Sequence, residues 1–205
     1  GGTVTGGGGF TSGTSCTLMA EAAYGYTFLN WTIDGTVVST DATYTFDVVE
    51  AGDYVANFTL LPTYTITAEV NPEEAGTVTG AGNFIEGDEC TLEVTPNDGY
   101  TFINWTLDDE EVSTELAYTF TVTADGNYVA NFSQDEYEVQ IPVTIENGTV
   151  IIEGGIDDGN MFHYGDWCTL TAIPEPGFYF VGWDENGVIV STDNPWTFQV
   201  TGPVF

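Results

Sequence analysis

The sequence has no lysine and no arginine. Its 205 residues carry 32 aspartates and glutamates against one histidine, His163, for a formal charge of −32. Ordinary chains are about 25% charged with both signs present, so the one-sided balance excludes several functions at once. Nucleic acid and anionic membrane surfaces both require a basic patch, and neither suits this chain. Salt bridges are restricted to the α-amino group and a protonated His163. The carboxylates must therefore stand apart in solvent or be neutralised by bound cations. Trypsin-like proteases find no cleavage site, which suits a surface structure in a protease-rich setting.

Other features are scarce as well. No apolar run reaches the roughly 18 residues that would span a membrane. No secretory leader is visible at Gly1-Gly2, as expected if one has been removed. The three cysteines include no Cys-x-x-Cys pair, so a zinc site is not expected. What the chain does have is apolar and aromatic content, 42% and 14%. That separates it from acidic disordered segments and predicts a buried core.

The sequence repeats three times. Gly2-Thr3-Val4 recurs as Gly76-Thr77-Val78 and Gly148-Thr149-Val150, and a Cys-Thr-Leu begins at Cys16, Cys90 and Cys168. Gly25-Tyr26-Thr27-Phe28, Gly99-Tyr100-Thr101-Phe102 and Gly177-Phe178-Tyr179-Phe180 each precede a tryptophan: Trp31, Trp105 and Trp183. Val-Ser-Thr follows at residues 38–40, 112–114 and 190–192. The longer third copy predicts an insertion near Gly159 to Tyr164. The expected domains are 1–61, 62–134 and 135–205, with joins at Leu60-Leu61-Pro62 and Ser133-Gln134-Asp135. Such short joins predict a semi-rigid row.

Two-residue alternation marks the strands. Tyr118, Phe120 and Val122 point one way and Thr119 and Thr121 the other; Tyr44, Phe46, Val48 and Trp196, Phe198, Val200 repeat the pattern. One strand breaks it: Tyr100 and Phe102 share a parity that Trp105 does not, so that strand is buried on both faces or carries a bulge. Helical periodicity is absent. The reading is an all-β tandem array of three small antiparallel β-sandwich-like domains. Its predicted core is Trp31, Trp105, Trp183, Tyr26, Tyr100, Phe178, Phe28, Phe102, Phe180, Cys16, Cys90 and Cys168. The first copy has a closing strand over Asp53 to Phe58 and no opening one; the third has an opening strand over Tyr137 to Ile145 and no closing one. Two explanations stand open: an arbitrary boundary in a longer array, or subunits that complete one another head to tail by strand addition.

Gly-Thr-Val, Cys-Thr-Leu, Gly-Tyr-x-Phe-x-x-Trp and the closing Tyr-Val-Ala-Asn-Phe together resemble the divergent internalin-B-type, or Listeria–Bacteroides, repeat. The resemblance covers nearly the whole chain. It implies small β domains in long bacterial surface proteins, serving as spacers or adhesive segments, with no catalytic residues to carry over. The cysteine in each copy and the lack of basic residues depart from that pattern.

The one-per-repeat cysteines are expected to be buried free thiols filling the core. The acidic groups Asp108-Asp109-Glu110-Glu111 and Glu86-Gly87-Asp88-Glu89 are the candidate calcium ligands, with Glu73-Glu74 and Asp157-Asp158 further clusters; the alternative is solvated surface charge. Acids number 6 in residues 1–61, 14 in 62–134 and 12 in 135–205, so the second repeat should respond most to calcium. His163 is read as exposed in its loop. Asn-x-Ser/Thr sequons stand at Asn30, Asn57, Asn104, Asn131 and Asn147. The function expected is non-enzymatic: a secreted or cell-surface stalk or adhesin spacer, or a head-to-tail extracellular filament subunit, with a carbohydrate-binding module as the alternative. Its partners would be copies of itself or a host or neighbour surface. No cofactor beyond calcium is expected.

Overall fold

In the computed structural model the described residues are 1–141 and 145–204, with Asp158 described in its backbone only. The first repeat holds β1 (Gly2–Thr5), β2 (Ser15–Ala22), β3 (Tyr26–Ile33), β4 (Thr36–Ser39), β5 (Thr43–Asp47) and β6 (Tyr54–Leu60). The second holds β7 (Thr63–Asn71), β8 (Gly76–Thr79), β9 (Gly82–Ile85), β10 (Glu89–Pro96), β11 (Tyr100–Leu107), β12 (Glu110–Ser113), β13 (Ala117–Thr121) and β14 (Gly126–Gln134). The third holds β15 (Glu136–Glu138), β16 (Gly148–Glu153), β17 (Met161–His163), β18 (Trp167–Pro174), β19 (Trp183–Glu185), β20 (Val188–Ser191) and β21 (Trp196–Gln199). The only helical segments among the described residues are the 3₁₀ turns Glu73–Ala75 and Ile156–Asp158. The chain is all-β, as its alternation predicts.

Each repeat uses the same strand orders. One small sheet runs β1-β2-β5, repeated as β8-β10-β13 and β16-β18-β21. A second runs β4-β3-β6, and its counterpart in the second repeat is extended to β12-β11-β14-β7-β9. In the third repeat that sheet is divided into β19-β20 and β15-β17. Nearly all pairings are antiparallel. Among the described residues the exceptions are the parallel bridge of Val139 with Val204 and the pair β7 with β14, where Thr67 donates to Asn127 and Asn71 to Asn131 in the same order along both strands, so the two run parallel.

Contacts divide the chain into two compact units. The first is Gly1–Ile66 with Gly82–Cys90 and Thr119–Gly126; the second is Thr67–Ala81 with Thr91–Tyr118 and Asn127–Phe205. The core of the first centres on Cys16, Leu18 and Trp31, with Phe28, Tyr44, Phe46 and Tyr54 packed around them. In the second, Val139, Phe162, Cys168, Leu170 and Val200 form a buried cluster against which Trp183, Trp196 and Phe198 pack. Trp105, Ala130 and Phe132 are buried in the same unit.

The odd strand resolves as a bulge. Register slips between Phe102 and Asn104 on β11, and identically between Phe28 and Asn30 on β3. The extra residues, Ile103 and Leu29, face solvent. Phe102 and Trp105 thereby reach the same interior, their ring centroids 5.9 Å apart. A bulge re-aims one side chain in this way without ending the strand.

Three expectations need correction. The segment Gly159 to Tyr164 is not the inserted loop: Met161–His163 is the strand β17, paired with β15, and Phe162 is fully buried. The extra length lies upstream, in the longer β16 and the Ile156–Asp158 turn. The opening strand of the third repeat is assigned over Glu136–Glu138 only, with a bridge at Val139; Pro142, Val143 and Thr144 of the expected span lie outside the described residues. Phe178, predicted as core, is 53% exposed. Its counterparts Tyr26 and Tyr100 pair with Leu60 and Gln134 of β6 and β14; no such ladder forms at Phe178 among the described residues.

Candidate functional site

The tryptophans anchor each repeat. Trp31 and Trp105 are fully buried and Trp183 is half-buried. Each indole N–H donates to a backbone carbonyl ten or eleven residues on: Trp31 to Ala42 at 3.3 Å, Trp105 to Glu115 at 3.1 Å and Trp183 to Asp193 at 2.9 Å. The Val-Ser-Thr motif holds that carbonyl loop in place. Ser39, Ser113 and Ser191 accept the N–H of Asp41, Glu115 and Asp193 through their hydroxyls, at 3.0, 3.1 and 3.1 Å. A serine that bonds the backbone two residues on builds a local turn. The motif thus supplies the partner that a buried indole N–H requires.

Opposite the tryptophan lies the closing strand. Ala56 faces Trp31 and Ala130 faces Trp105 in the ladder; Phe58 faces Phe28 and Phe132 faces Phe102. The two phenylalanine pairs are edge-to-face at 5.8 and 5.5 Å. On the outer face of the same strands runs a polar ladder. Asn131 Nδ2 donates to Asn104 Oδ1 at 3.0 Å and to Thr106 Oγ1 at 3.1 Å, and Asn57 does the same with Asn30 and Thr32. Asn and Thr two residues apart share one strand face, so Asn-Trp-Thr is a docking pair for the asparagine of the neighbouring strand. Four of the five sequons are therefore accounted for as sheet structure. Asn147 is the fifth, and it is exposed in a turn.

The core cysteines Cys16, Cys90 and Cys168 are buried thiols, not joined in disulfides. Burial pushes the Cys90 thiol above its ordinary value and the Cys168 thiol up to about 11, which leaves both protonated and inert at neutral pH. Glycine is fixed at Gly6, Gly80 and Gly154, whose φ values are 96°, 97° and 99° and whose missing side chains would strike the carbonyls of Thr17, Thr91 and Trp167.

The predicted calcium residues are not brought together into a ligand set: among the described residues no group of three or more His, Cys, Asp or Glu side chains converges. Several already have local partners. Asp108 and Asp109 have φ of 51° and 67° in the β11–β12 hairpin, where Asp34-Gly35 and Asn186-Gly187 occupy the corresponding turns. Positive φ at both central residues is the geometry a tight two-residue hairpin requires. Glu110 and Glu111 lead out of that turn, and Glu111 accepts from Asn104 at 2.7 Å. Asp88 accepts the N–H of Ile85 at 3.0 Å and the hydroxyl of Tyr24 at 2.7 Å, while Glu86 is half-buried beside it. Asp166 repeats the Asp88 turn by accepting the N–H of His163. The His163 ring is half-buried, 3.6 Å from Glu136 and 3.4 Å from Asp166.

Two grooves open beside these cores. One, about 450 Å³ in the first unit, is lined by Phe10, Leu18, Phe46, Val48 and Tyr54 among others. The other, about 530 Å³ in the second unit, lies between Val139–Ile141 and Tyr179–Trp183 above Leu170 and Trp196. Sequence reasoning missed the serine turn, the asparagine ladder and both grooves. The recurrence of Val-Ser-Thr and Asn-Trp-Thr was the available signal for the first two.

Three copies of one aromatic-locked β unit define a tandem-repeat β protein. The divergent InlB B-repeat domain matches the chain over residues 1–62, 65–136 and 137–204, and the chain belongs to that family. A comparison with proteins of described function finds no match. Among the described residues no helix is long and apolar enough to cross a membrane.

Proposed function

We propose that this chain is a non-enzymatic structural segment of a secreted or cell-surface protein, in which the repeats act as spacers that project or assemble. The observation that carries the reading is the recurrence of the indole lock and its serine turn in all three repeats, with only residues 61–62 between β6 and β7 and residue 135 between β14 and β15. Joins this short restrict hinge motion between neighbouring units. Family membership supports a surface location. A net charge of −32 keeps like molecules apart in solution and favours a solvated, extended setting. Immunogold electron microscopy of the native cells tests the reading. Label outside the envelope is the expected result, and label confined to the cell interior contradicts it.

A second reading, a carbohydrate-binding role, draws on Trp167 and Tyr179, which are 60% and 82% exposed. Aromatic faces of this kind stack on sugar rings. A glycan-array screen is the test: retention dependent on Trp167 and Tyr179 supports it, and no retention removes it.

A further inference from the structure

We propose that each join between repeats is a clasp that makes neighbouring repeats unfold together. Its seat is the glycine of the Gly-Tyr turn, and its partner is the Gly-Asp turn of the following repeat. The proposal deepens the spacer reading above and rests on it, since a projecting row needs units that hold one another.

The two joins are built alike. At the first, the Leu61 N–H donates to the Gly25 carbonyl at 2.9 Å, and the Glu86 N–H donates to the Pro62 carbonyl at 2.9 Å. At the second, the Asp135 N–H donates to the Gly99 carbonyl at 2.8 Å, and the Tyr164 N–H donates to the Asp135 carbonyl at 2.9 Å. A main-chain relay therefore runs from the Gly-Tyr turn, through Leu61-Pro62 or Asp135, to the turn at Gly87-Asp88 or Gly165-Asp166. The joining residues lie outside the strands, and these bonds supply the partners that their backbone groups require.

Side chains reinforce the relay. The Tyr24 hydroxyl donates to Asp88 Oδ2 at 2.7 Å, the same oxygen that accepts the Ile85 N–H. At the second join the Thr101 hydroxyl donates to Asp135 Oδ1 at 2.6 Å. Glycine is required at the seat on two counts. Its φ is 81° at Gly25 and 84° at Gly99, a conformation that costs glycine little and other residues much. A Cβ on Gly99 would also stand 2.7 Å from the Cβ of Tyr164, and one on Gly25 3.3 Å from the Cδ1 of Ile85. The following repeat thus lies directly on the glycine.

Gly177 separates the two requirements. It adopts the same turn, with a φ of 94° and the Phe178 N–H donating to Glu175 as the Tyr100 N–H donates to Asn97. No described atom lies within 4 Å of its Cβ position, so it carries the backbone requirement without the contact. Each compact unit encloses one whole clasp: Gly25, Leu61, Pro62 and Glu86 in the first, Gly99, Asp135 and Tyr164 in the second. In a row of repeats, stability is a sum of intrinsic and nearest-neighbour contributions. The clasp is the nearest-neighbour contribution.

The test is residue-resolved hydrogen exchange on the 205-residue chain and its variants. Gly99→Ala should speed exchange at the Asp135 and Tyr164 amides roughly tenfold or more, while Gly177→Ala leaves both unchanged. Coupling is read with Leu170→Ala, which empties part of the third repeat's core. With Gly99 in place, that substitution should raise exchange in Thr101–Asn104 of the second repeat as well as in β18. Combined with Gly99→Ala, the rise should stay within the third repeat. Should Gly99→Ala not fold, Thr101→Val removes only the hydroxyl bond to Asp135 and should speed the same two amides severalfold. Equal effects of Gly99→Ala and Gly177→Ala at those amides, no effect of Thr101→Val, or a Leu170→Ala effect confined to the third repeat while Gly99 is in place would overturn the proposal. None of these readings depends on where the protein resides, so failure here and failure of the surface reading are separable.

Discussion

Ala130 lies directly opposite Trp105 in the β11–β14 ladder, and both are fully buried. A large and a small side chain thus share one fully buried ladder position. Ala130→Leu should therefore cost about 1–3 kcal/mol through overpacking, read as a lower midpoint in denaturant at unchanged slope. Trp105→Ala should cost about 3–5 kcal/mol, the usual range for emptying a large aromatic site. Trp183→Ala should cost less, because Trp183 is only half-buried. Equal losses at the two tryptophans would contradict the account.

The asparagine ladder makes a separate prediction. Asn131→Ala removes three side-chain bonds and leaves Asn71, Asn104 and Thr106 to find water, a loss of about 1–3 kcal/mol. In a double-mutant cycle with Asn104→Ala the two effects should be less than additive, since both substitutions break one contact. Strict additivity would show that the ladder is not an energetic unit. If the chain is produced in a glycosylating host, peptide mapping of the folded fraction should find glycan at the exposed Asn147 and none at Asn57 or Asn131.

Much of this was legible in the sequence because it is local. Alternation fixes which residues of β2, β5, β10 and β13 face inward, and the parity conflict between Phe102 and Trp105 already required either a bulge or burial on both faces. Phe178 could not be placed the same way. Its exposure depends on whether a strand lies alongside, and that is a non-local fact absent from its own neighbourhood. Met161–His163 was hidden for the same reason: three residues between glycine-rich turns show a strand only once β15 pairs with them. Asp108-Asp109 resembled a ligand cluster because its turn role, obvious where glycine stands at Gly35 and Gly187, is masked when both central residues are acids.

The thiols provide a pH test with a definite sign. Cys168 has its folded value raised to about 11 from an ordinary value of 9.0. Below pH 9 the thiol is protonated in both states and stability is unaffected. Between pH 9 and 11 the unfolded chain releases the proton and the folded chain does not, so stability falls as pH rises, by about 2–3 kcal/mol at the upper end. Cys168→Ala should flatten that slope while lowering stability at neutral pH. Thiol reagents should label none of the three cysteines at pH 8 until denaturant is added; rapid native labelling would contradict their burial.

With no side-chain cation other than His163 to balance 32 acids, the folded chain repels itself. Raising sodium chloride from low concentration to about 1 M shortens the screening length to roughly 3 Å and should raise the melting midpoint. Calcium and magnesium at matched ionic strength should act alike if the acids are solvated surface charge. A calcium-specific rise, abolished by Asp108→Asn with Asp109→Asn, would instead establish a bound ion in the second repeat.

The claim beneath all of this is that one interior is built three times, and that a neighbouring closing strand is what seals it. Residue-resolved hydrogen exchange of the 205-residue chain measures this directly. Amides of Thr27–Asn30 and Thr101–Asn104 should be strongly protected, and those of Tyr179–Gly182 should exchange orders of magnitude faster. Equal protection in all three segments would mean that the third repeat is sealed in some other way, and would contradict the account.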